Sequence, residues 1–333
     1  MGGDRAFAAL LAGLGLLVVA LFAVALLVGP AGLAPRAALV ALISGDASPA
    51  ALVMREIRLP RALLALLVGG SLGLSGAALQ GYLRNPLAEP GLLGVGASAS
   101  LGAVVAIYSG LAAGFALALP LCALAGALIA VVLVGVLAGR AAHPLTLILA
   151  GIAVSSLATA LTSLALNLST NPFAAMEIVF WMLGSLENRS MSHVLLAGPF
   201  IALGWVLLAR LGPALDALTL GEEAAATLGI SLGRTRALVV LGTASAVGAA
   251  TAVAGAVGFI GLVVPHLLRP LVGGRPSRLL AASTLGGAAM LLVTDLAVRL
   301  IAPERDLKLG VVTALVGAPF FLWLLARMRK DAL

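Results

Sequence analysis

The chain has 333 residues, of which 62% are hydrophobic and 10% are charged, and its formal net charge is +7. Soluble globular proteins carry about 25% charged residues, so this composition excludes that class. The uncharged runs recur along the chain, and each is long enough to cross a bilayer. They predict an all-α polytopic membrane protein. The basic residues lie singly at the ends of these runs, as helix anchors do, which argues against nucleic acid as a partner.

The first uncharged run predicts a membrane span over residues 6–28. Its apolar stretch exceeds the roughly 7–15 residues of a signal-peptide core, so we interpret it as an uncleaved span. A second span is predicted over 62–81. Between the two spans lies a basic cluster, Arg55, Arg58 and Arg61. Arg58 and Arg61 are three residues apart, so we expect them to project as exposed charges from one helix face.

Residues 81–94, GYLRNPLAEPGLLG, gather polar and helix-breaking residues between uncharged tracts. Pro86 lacks a backbone donor and restricts Asn85, so the second span should end near them. Pro90 suits the first turn of a helix, where a missing N–H costs nothing, and a third span is predicted over 92–111. We therefore interpret this segment as the cytoplasmic turn between spans two and three.

The next uncharged run is too long for one span and must fold back near 108–114, which predicts a fourth span over 117–137. Spans five and six are predicted over 145–168 and 194–211. The single cysteine, Cys122, excludes an internal disulfide and a cysteine-based metal cluster.

The longest segment between spans, residues 212–236, predicts a short amphipathic helix. The helix should start after Gly221 with two acids, Glu222 and Glu223, which favour a helix N-terminus, and Gly229 is suited to end it. The segment lacks the basic face of a lipid-binding helix. We therefore interpret it as a docking element for a soluble partner.

Residues 237–268 are too long for one span and too short for two. Their glycines predict a full span over 237–255, a break, and a shorter helix over 257–271. The last two spans are predicted over 279–301 and 311–326, which makes about ten in all.

Span nine contains Asp295, four residues before Arg299, so the two side chains should form an ion pair on one helix face. With ten spans both termini lie on one side of the membrane, and the distribution of basic residues favours the cytoplasmic side. An ion-coupled secondary transporter should show a dense set of intramembrane ionisable groups, and a membrane-embedded enzyme should show acids or histidines clustered at one depth. Both classes remain as alternatives.

Motifs of ATP and metal chemistry are missing from the sequence. No phosphate-binding loop of the form G-x-x-x-x-G-K-[ST] occurs, so the chain does not hydrolyse ATP by that route. The histidines, His143, His193 and His266, are far apart. We predict no metal site and no cofactor in this chain.

Five segments together match a known family: RLPR at 58–61, QGYLRNPLAEPGLLG at 80–94, LGEEAAATLGI at 220–230, GAVGFIGLVVPHLLR at 255–269 and LGVVTALVGAPFFLWLL at 309–325. With these segments the chain resembles the permease subunits of type II bacterial ABC importers for iron–siderophore complexes, haem and vitamin B12, the FecCD-like family. The resemblance implies a single transmembrane permease domain over 1–333, with ten spans in the bacterial inner membrane and both termini cytoplasmic.

The resemblance also implies partners. Two copies of the permease would enclose a pathway, two ATPase subunits would bind ATP and Mg²⁺, and a periplasmic binding protein would deliver the substrate. The segment 220–230 would be the coupling helix that contacts the ATPase, with Gly221, Glu222, Glu223, Ala224, Leu228 and Gly229 as its functional residues. Arg58, Arg61 and Arg299 match family positions that meet acidic residues on the binding protein.

Span five and its flanks line the pathway in the family. By resemblance, the gates would lie near its two ends, at His143, Pro144, Leu145 and Thr146 on the cytoplasmic side and at Ser169, Thr170 and Asn171 on the outer side. The transported substrate is expected to be an iron complex, haem or a ferric siderophore, because such substrates make up the larger part of the family. Cobalamin is the alternative.

Overall fold

A computed structural model describes residues 2–29, 32–43, 48–139, 144–301 and 307–331, and over these ranges the chain is helical without β-strands. The helices are α1 (Gly2–Leu27), α2 (Pro35–Ile43), α3 (Pro49–Leu52), α4 (Leu59–Tyr82), α5 (Val95–Tyr108), α6 (Leu111–Gly114), α7 (Ala118–Ala138), α8 (Pro144–Asn167), α9 (Pro172–Met182), α10 (Met191–Ala209), α11 (Gly212–Leu218), α12 (Glu222–Thr227), α13 (Leu232–Ala254), α14 (Ile260–Leu268), α15 (Pro276–Ile301) and α16 (Leu309–Asp331).

Seven helical segments in the described ranges are long and apolar enough to cross a membrane. They are Gly3–Leu27, Pro49–Tyr82, Ala118–Ala138, Leu145–Asn167, Met191–Ala209, Leu232–Ala254 and Pro276–Ile301. The shorter helices α5, α14 and α16 occupy the other three predicted spans, so the count of about ten agrees with the structure. The predicted break after α13 is confirmed, because residues 255–259 leave the helix before α14 begins.

The second span and helix α9 are among the segments that differ from the prediction. The second span begins at Pro49 and continues through a π-helical turn, Val53–Arg58, into α4, so the basic cluster lies on a helix before the predicted start at residue 62. Helix α9 was not predicted. Its signals are Asn171, whose side chain accepts a hydrogen bond from the Phe173 N–H, and a proline at the first helical position.

Helices α4 and α15 pack backbone to backbone at the centre of the molecule. A Cβ atom on Gly69 would lie 2.3 Å from the Gly287 carbonyl oxygen, and one on Gly73 would lie 2.0 Å from the Ser283 carbonyl oxygen. Lipid tails are as apolar as leucine, so helices in a membrane associate through such close packing rather than through the hydrophobic effect. The small residues of α4 therefore position the two helices that carry the sites described below.

The helix ends define two opposite faces of the bundle, named here for the arginines and for the coupling segment predicted from the sequence. At the arginine face, α1 ends, the π-helical turn leads into α4, and α15 ends. At the coupling face, α1 begins beside α15, where Arg278 Nη1 donates to the Gly3 carbonyl oxygen at 3.1 Å, and α11 packs against the first turn of α15. Helix α16 starts beside Gly184, with a 2.9 Å bond from the Leu309 N–H, and runs towards the coupling face, so both ends of the chain share that face.

Candidate functional site

Arg58 closes the end of α1. Its Nη1 donates to the carbonyl oxygens of Leu26 at 2.9 Å and Leu27 at 2.8 Å, and its Nη2 donates to that of Gly29 at 3.4 Å. The last carbonyl groups of a helix lack intrahelical partners and carry partial negative charge. The Arg58 guanidinium therefore supplies both the missing hydrogen-bond donors and a compensating positive charge. Only 3% of Arg58 is exposed.

Asp295 lies fully buried near the end of α15 and accepts hydrogen bonds from two arginines. Arg61 Nε is 2.8 Å from Asp295 Oδ1, and Arg299 Nη2 bonds to Oδ2. The predicted pair of Asp295 and Arg299 is thus confirmed. Arg299 Nη1 also donates to the Ala25 carbonyl oxygen at 2.9 Å. Because a buried carboxylate requires matched charges and hydrogen bonds, this cluster ties α1, α4 and α15 together.

A cleft of about 550 Å³ opens above this cluster and is called the arginine cleft. Arg58, Arg61 and Arg299 line it, together with Glu56, Glu187 and Arg189. The expectation that Arg58 and Arg61 project as exposed charges is wrong for Arg58, which is 3% exposed, and the Arg61 side chain is only 16% exposed. Arg299 is 8% exposed, and carbonyl and carboxylate partners hold these arginines below the surface.

Arg189 is the arginine of the cleft that the sequence analysis left without a role. Its Nε has no hydrogen-bond partner among the described residues, and burial lowers the pKa of its guanidinium. A partly desolvated cation of this kind favours an anionic partner. Arg189 is therefore a cleft cation with an unused hydrogen-bond donor.

The segment 81–94 turns back into the helical bundle after α4. Arg84 has a left-handed backbone conformation with φ 48°, and the Asn85 side chain accepts a hydrogen bond from the Leu87 N–H at 2.9 Å. A Cβ atom on Gly261 would lie 2.7 Å from Pro90 Cδ and 2.9 Å from the Leu72 carbonyl oxygen. Because Leu72 is in the middle of α4, the segment returns along that helix to about the middle of its length. It is therefore more than the simple turn predicted from the sequence.

Two polar side chains join this segment to the broken helix. Glu89 Oε1 accepts from the Phe259 N–H at 2.8 Å, at the start of α14. Gln80 Nε2 donates to the Gly261 carbonyl oxygen at 3.3 Å, while its Oε1 accepts from Arg269 Nη2 at 2.7 Å. Non-helical backbone at membrane depth must find such partners inside the protein. Glu89 therefore satisfies an N–H group that the break at 255–259 sets free. Gln80 satisfies the Gly261 carbonyl oxygen, which lacks a helical donor because Pro265, four residues later, has no N–H.

The predicted helix of the coupling segment is α12. Glu222 and Glu223 form its first turn, and Gly221 precedes it. Gly229 ends it with φ +85°, and the Ile230 N–H bonds to the Ala225 carbonyl oxygen at 3.0 Å, as in a Schellman motif. The start and the end predicted for this helix are thus confirmed.

Helix α12 presents an exposed edge. Leu220 and Leu228, on either side of it, are 69% and 64% exposed, and Ala224 is half-buried. Ala225 is fully buried against the body of the protein. Two leucines that flank acids on a surface outside the spans can form the apolar part of an interface.

The predicted gate residues lie at opposite ends of α8. Pro144 begins the helix, and Leu145 and Thr146 are exposed in its first turn, whereas His143 lies outside the described residues. At the other end, Ser169 Oγ donates to the Asn171 carbonyl oxygen at 3.1 Å, and Thr170 is exposed. The 24 residues of α8 separate the two groups by about 36 Å, so the structure does not bring them together.

Within the described ranges, no three His, Cys, Asp or Glu side chains are close enough together to hold a metal ion. Several charged and polar side chains, Arg58, Glu89 and Asp295 among them, instead bind one another or backbone groups. Gln80, Glu89 and Arg189 were not assigned a role from the sequence. The first two could have been found as the polar residues of an otherwise apolar segment.

Comparison with known proteins gives consistent matches. The model of the FecCD transport family matches residues 16–327. The chain is 40% identical over 277 residues to the Fe(3+) dicitrate transport system permease protein FecD of Escherichia coli K12, which covers 83% of this chain and 86% of that protein. It is also 40% identical over 276 residues to the vitamin B12 import system permease protein BtuC of Klebsiella pneumoniae, with 82% of each chain covered.

A solved structure agrees with these relatives. It is an inward-facing conformation of a transporter assigned to the metal-chelate type of ABC transporter, and it superimposes with a TM-score of 0.84 at 33% identity, covering 95% of this chain and 98% of the other. The match of the family model over nearly the whole length, and the agreement of the helical architecture, lead to one conclusion. This chain belongs to the FecCD transport family and is a permease subunit of a type II ABC importer.

Proposed function

We propose that this permease carries an iron complex, a ferric siderophore or haem, from the periplasm across the bacterial inner membrane into the cytoplasm. Transport is driven by ATP, which a separate ATPase chain binds with Mg²⁺. The observation that carries this proposal is family membership over residues 16–327 combined with two opposed functional faces on one helical bundle. The relative named for ferric dicitrate transport supports iron as the substrate.

The coupling face contacts the ATPase through α12. Leu220 and Leu228 supply apolar contacts, and Glu222 and Glu223 supply charge. The Schellman motif at Gly229 gives the short helix a fixed end, which suits an element that transmits force. The coupling face is accordingly the cytoplasmic side of the membrane.

The arginine face receives the periplasmic binding protein. An acidic side chain of that protein enters the arginine cleft and pairs with Arg61 and Arg189, while Arg58 and Arg299 provide positive charge from the floor of the cleft. Such pairs mainly set the association rate and the orientation of a complex.

The working unit contains two copies of the permease and two ATPase chains, since each permease offers one α12. Helix α8 has a row of exposed apolar residues that includes Leu149, Leu157 and Leu164. The two α8 helices face one another across the pathway, with Leu145 and Thr146 at the cytoplasmic gate and Ser169 and Asn171 at the outer gate.

Cobalamin is the second candidate substrate, because relatives named for vitamin B12 import are equally similar in sequence. The test is uptake by proteoliposomes that contain the permease, the ATPase and the binding protein. We expect ferric citrate or haem to accumulate only when ATP is present. Accumulation of cyanocobalamin instead would transfer the assignment to the second candidate, and uptake without the ATPase would reject the importer.

A further inference from the structure

Asp216 of α11 binds the first turn of α15. Its Oδ1 accepts from the Ser277 N–H at 2.9 Å, and its Oδ2 accepts from the Ser277 hydroxyl at 2.6 Å. The first N–H groups of a helix have no intrahelical acceptor and carry partial positive charge. Asp216 therefore acts as an N-terminal cap of α15 that is supplied by a different helix.

Helix α11 is also wedged between the ends of α4 and α15. Leu211 and Leu215 are fully buried. A Cβ atom on Gly81 would lie 3.2 Å from Leu215 Cδ1, and one on Gly212 would lie 3.3 Å from Ser277 Cβ. Only the turn 219–221 separates α11 from α12, so a displacement of α12 is passed to α11 at close packing density.

Helices α15 and α4 extend this contact to the other side of the molecule. Their backbones touch at Gly69 and Gly287, where a Cβ atom on either glycine would lie within 2.3 Å of the other's carbonyl oxygen. The pair is called the α4–α15 bar. About 27–33 Å along α15 from Ser277, Asp295 and Arg299 form the floor of the arginine cleft together with Arg61 of α4.

We propose that Asp216 is a positioning residue that clamps the coupling segment to the α4–α15 bar, so that occupation of the arginine cleft and the nucleotide state of the ATPase influence one another. This inference rests on the proposed function, in which α12 contacts the ATPase. Coupling between distant sites is carried by packed side chains, hydrogen-bond networks and rigid helices. The Asp216 clamp, the α4–α15 bar and the Asp295 cluster form such a connected series.

The test measures coupling rather than stability. The dissociation constant of the binding protein is determined on the permease–ATPase complex in nanodiscs, once without nucleotide and once with a non-hydrolysable ATP analogue. The ratio of the two constants is the coupling factor. We expect the coupling factor of Asp216→Ala to be closer to one than the wild-type factor by about fivefold or more, which is the lower end of usual coupling energies. The ATPase should still co-purify with this variant.

Graded and matched variants sharpen the result. Ser277→Ala keeps the backbone N–H bond, and Asp216→Asn keeps an acceptor for that N–H, so both should reduce the coupling factor less than Asp216→Ala. Ser245→Ala removes an interhelical hydrogen bond elsewhere in the protein, from Ser245 Oγ on α13 to the Phe200 carbonyl oxygen on α10, and leaves α11, α12 and the α4–α15 bar untouched. It should leave the coupling factor at the wild-type value.

The outcomes separate the clamp from the proposed function. An unchanged coupling factor in Asp216→Ala, or in Asp216→Asn and Ser277→Ala if the alanine variant does not fold, overturns the clamp. Loss of the ATPase in step with loss of coupling also overturns it, because Asp216 would then only support the interface. A wild-type permease that binds neither the ATPase nor the binding protein rejects the proposed function itself.

Discussion

Two aspartate–arginine pairs show how burial decides the importance of a single residue. Asp295 has no exposed side-chain surface and pairs with two guanidinium groups, those of Arg61 and Arg299. Asp4 makes a comparable contact with Arg278, but its side chain is 81% exposed. Water screens the Asp4–Arg278 pair and solvates both side chains when they separate. The buried Asp295 carboxylate has no water to replace its arginine partners.

We expect Asp295→Ala to lower the free energy of unfolding by about 3–5 kcal/mol, because buried Arg299 and partly buried Arg61 lose their counter-charge. Asp4→Ala should leave it nearly unchanged. Unfolding of the purified permease in mixed detergent micelles measures both. Equal effects of the two variants would contradict the view that the Asp295 cluster is a buried structural unit.

At the scale of helices, glycine contacts set the distance between α4 and the broken helix. A Cβ atom on Gly76 would lie 1.9 Å from the Gly261 carbonyl oxygen, so Gly76→Ala must push α14 away and disturb the bonds of Gln80. We expect a loss of about 1–3 kcal/mol in stability together with impaired transport. Gly135→Ala in α7, where nothing lies within 4 Å, is the matched control. If the two variants unfold alike, the contact is not tight.

Helix α12 makes a separate prediction. Gly229 has φ +85°, a conformation that costs roughly 1–2 kcal/mol for a residue with a side chain, so Gly229→Val should distort the end of the helix. Gly229→Val, and Glu222→Lys combined with Glu223→Lys, should each detach the ATPase or uncouple hydrolysis from transport while membrane insertion continues. Gly233→Val, at a glycine with open space around it, should retain coupling. Wild-type transport by the first two variants would make the segment an ordinary loop.

How far the sequence predicts these elements depends on whether the signal is local. The break at 255–259, the end of α12 at Gly229 and the Asp295–Arg299 pair were predictable, because each follows from residues within one turn or one helix. The partners of Arg58 on α1 and of Glu89 at Phe259 were not, because those residues are far apart in the chain and meet only through packing. For the same reason, the expected exposure of Arg58 was wrong.

At the scale of the whole molecule, the two faces carry different kinds of interaction. The coupling face presents leucines and acids on a short helix, whereas the arginine face presents a basic cleft. Two of the arginines in that cleft, Arg61 and Arg299, already bind Asp295. Reversing the charge of Arg61 would therefore place two acids side by side inside the protein, so a loss of transport in Arg61→Glu would combine a folding defect with a docking defect.

Arg189 allows the docking role of the cleft to be tested without that defect, because it lines the cleft and forms no ion pair with Asp295. We expect Arg189→Glu to raise the dissociation constant of the binding protein by about tenfold or more, roughly 1.4 kcal/mol, because it turns attraction for an acidic side chain into repulsion. The effect should shrink as salt is added, and basal ATP hydrolysis should persist.

Arg36→Glu, which reverses an exposed charge on α2 outside the cleft, is the control. An acidic residue of the binding protein changed to arginine should restore part of the affinity of Arg189→Glu. If Arg189→Glu binds as tightly as Arg36→Glu at low salt, the cleft does not receive the binding protein and its arginines serve only to hold the helix ends together.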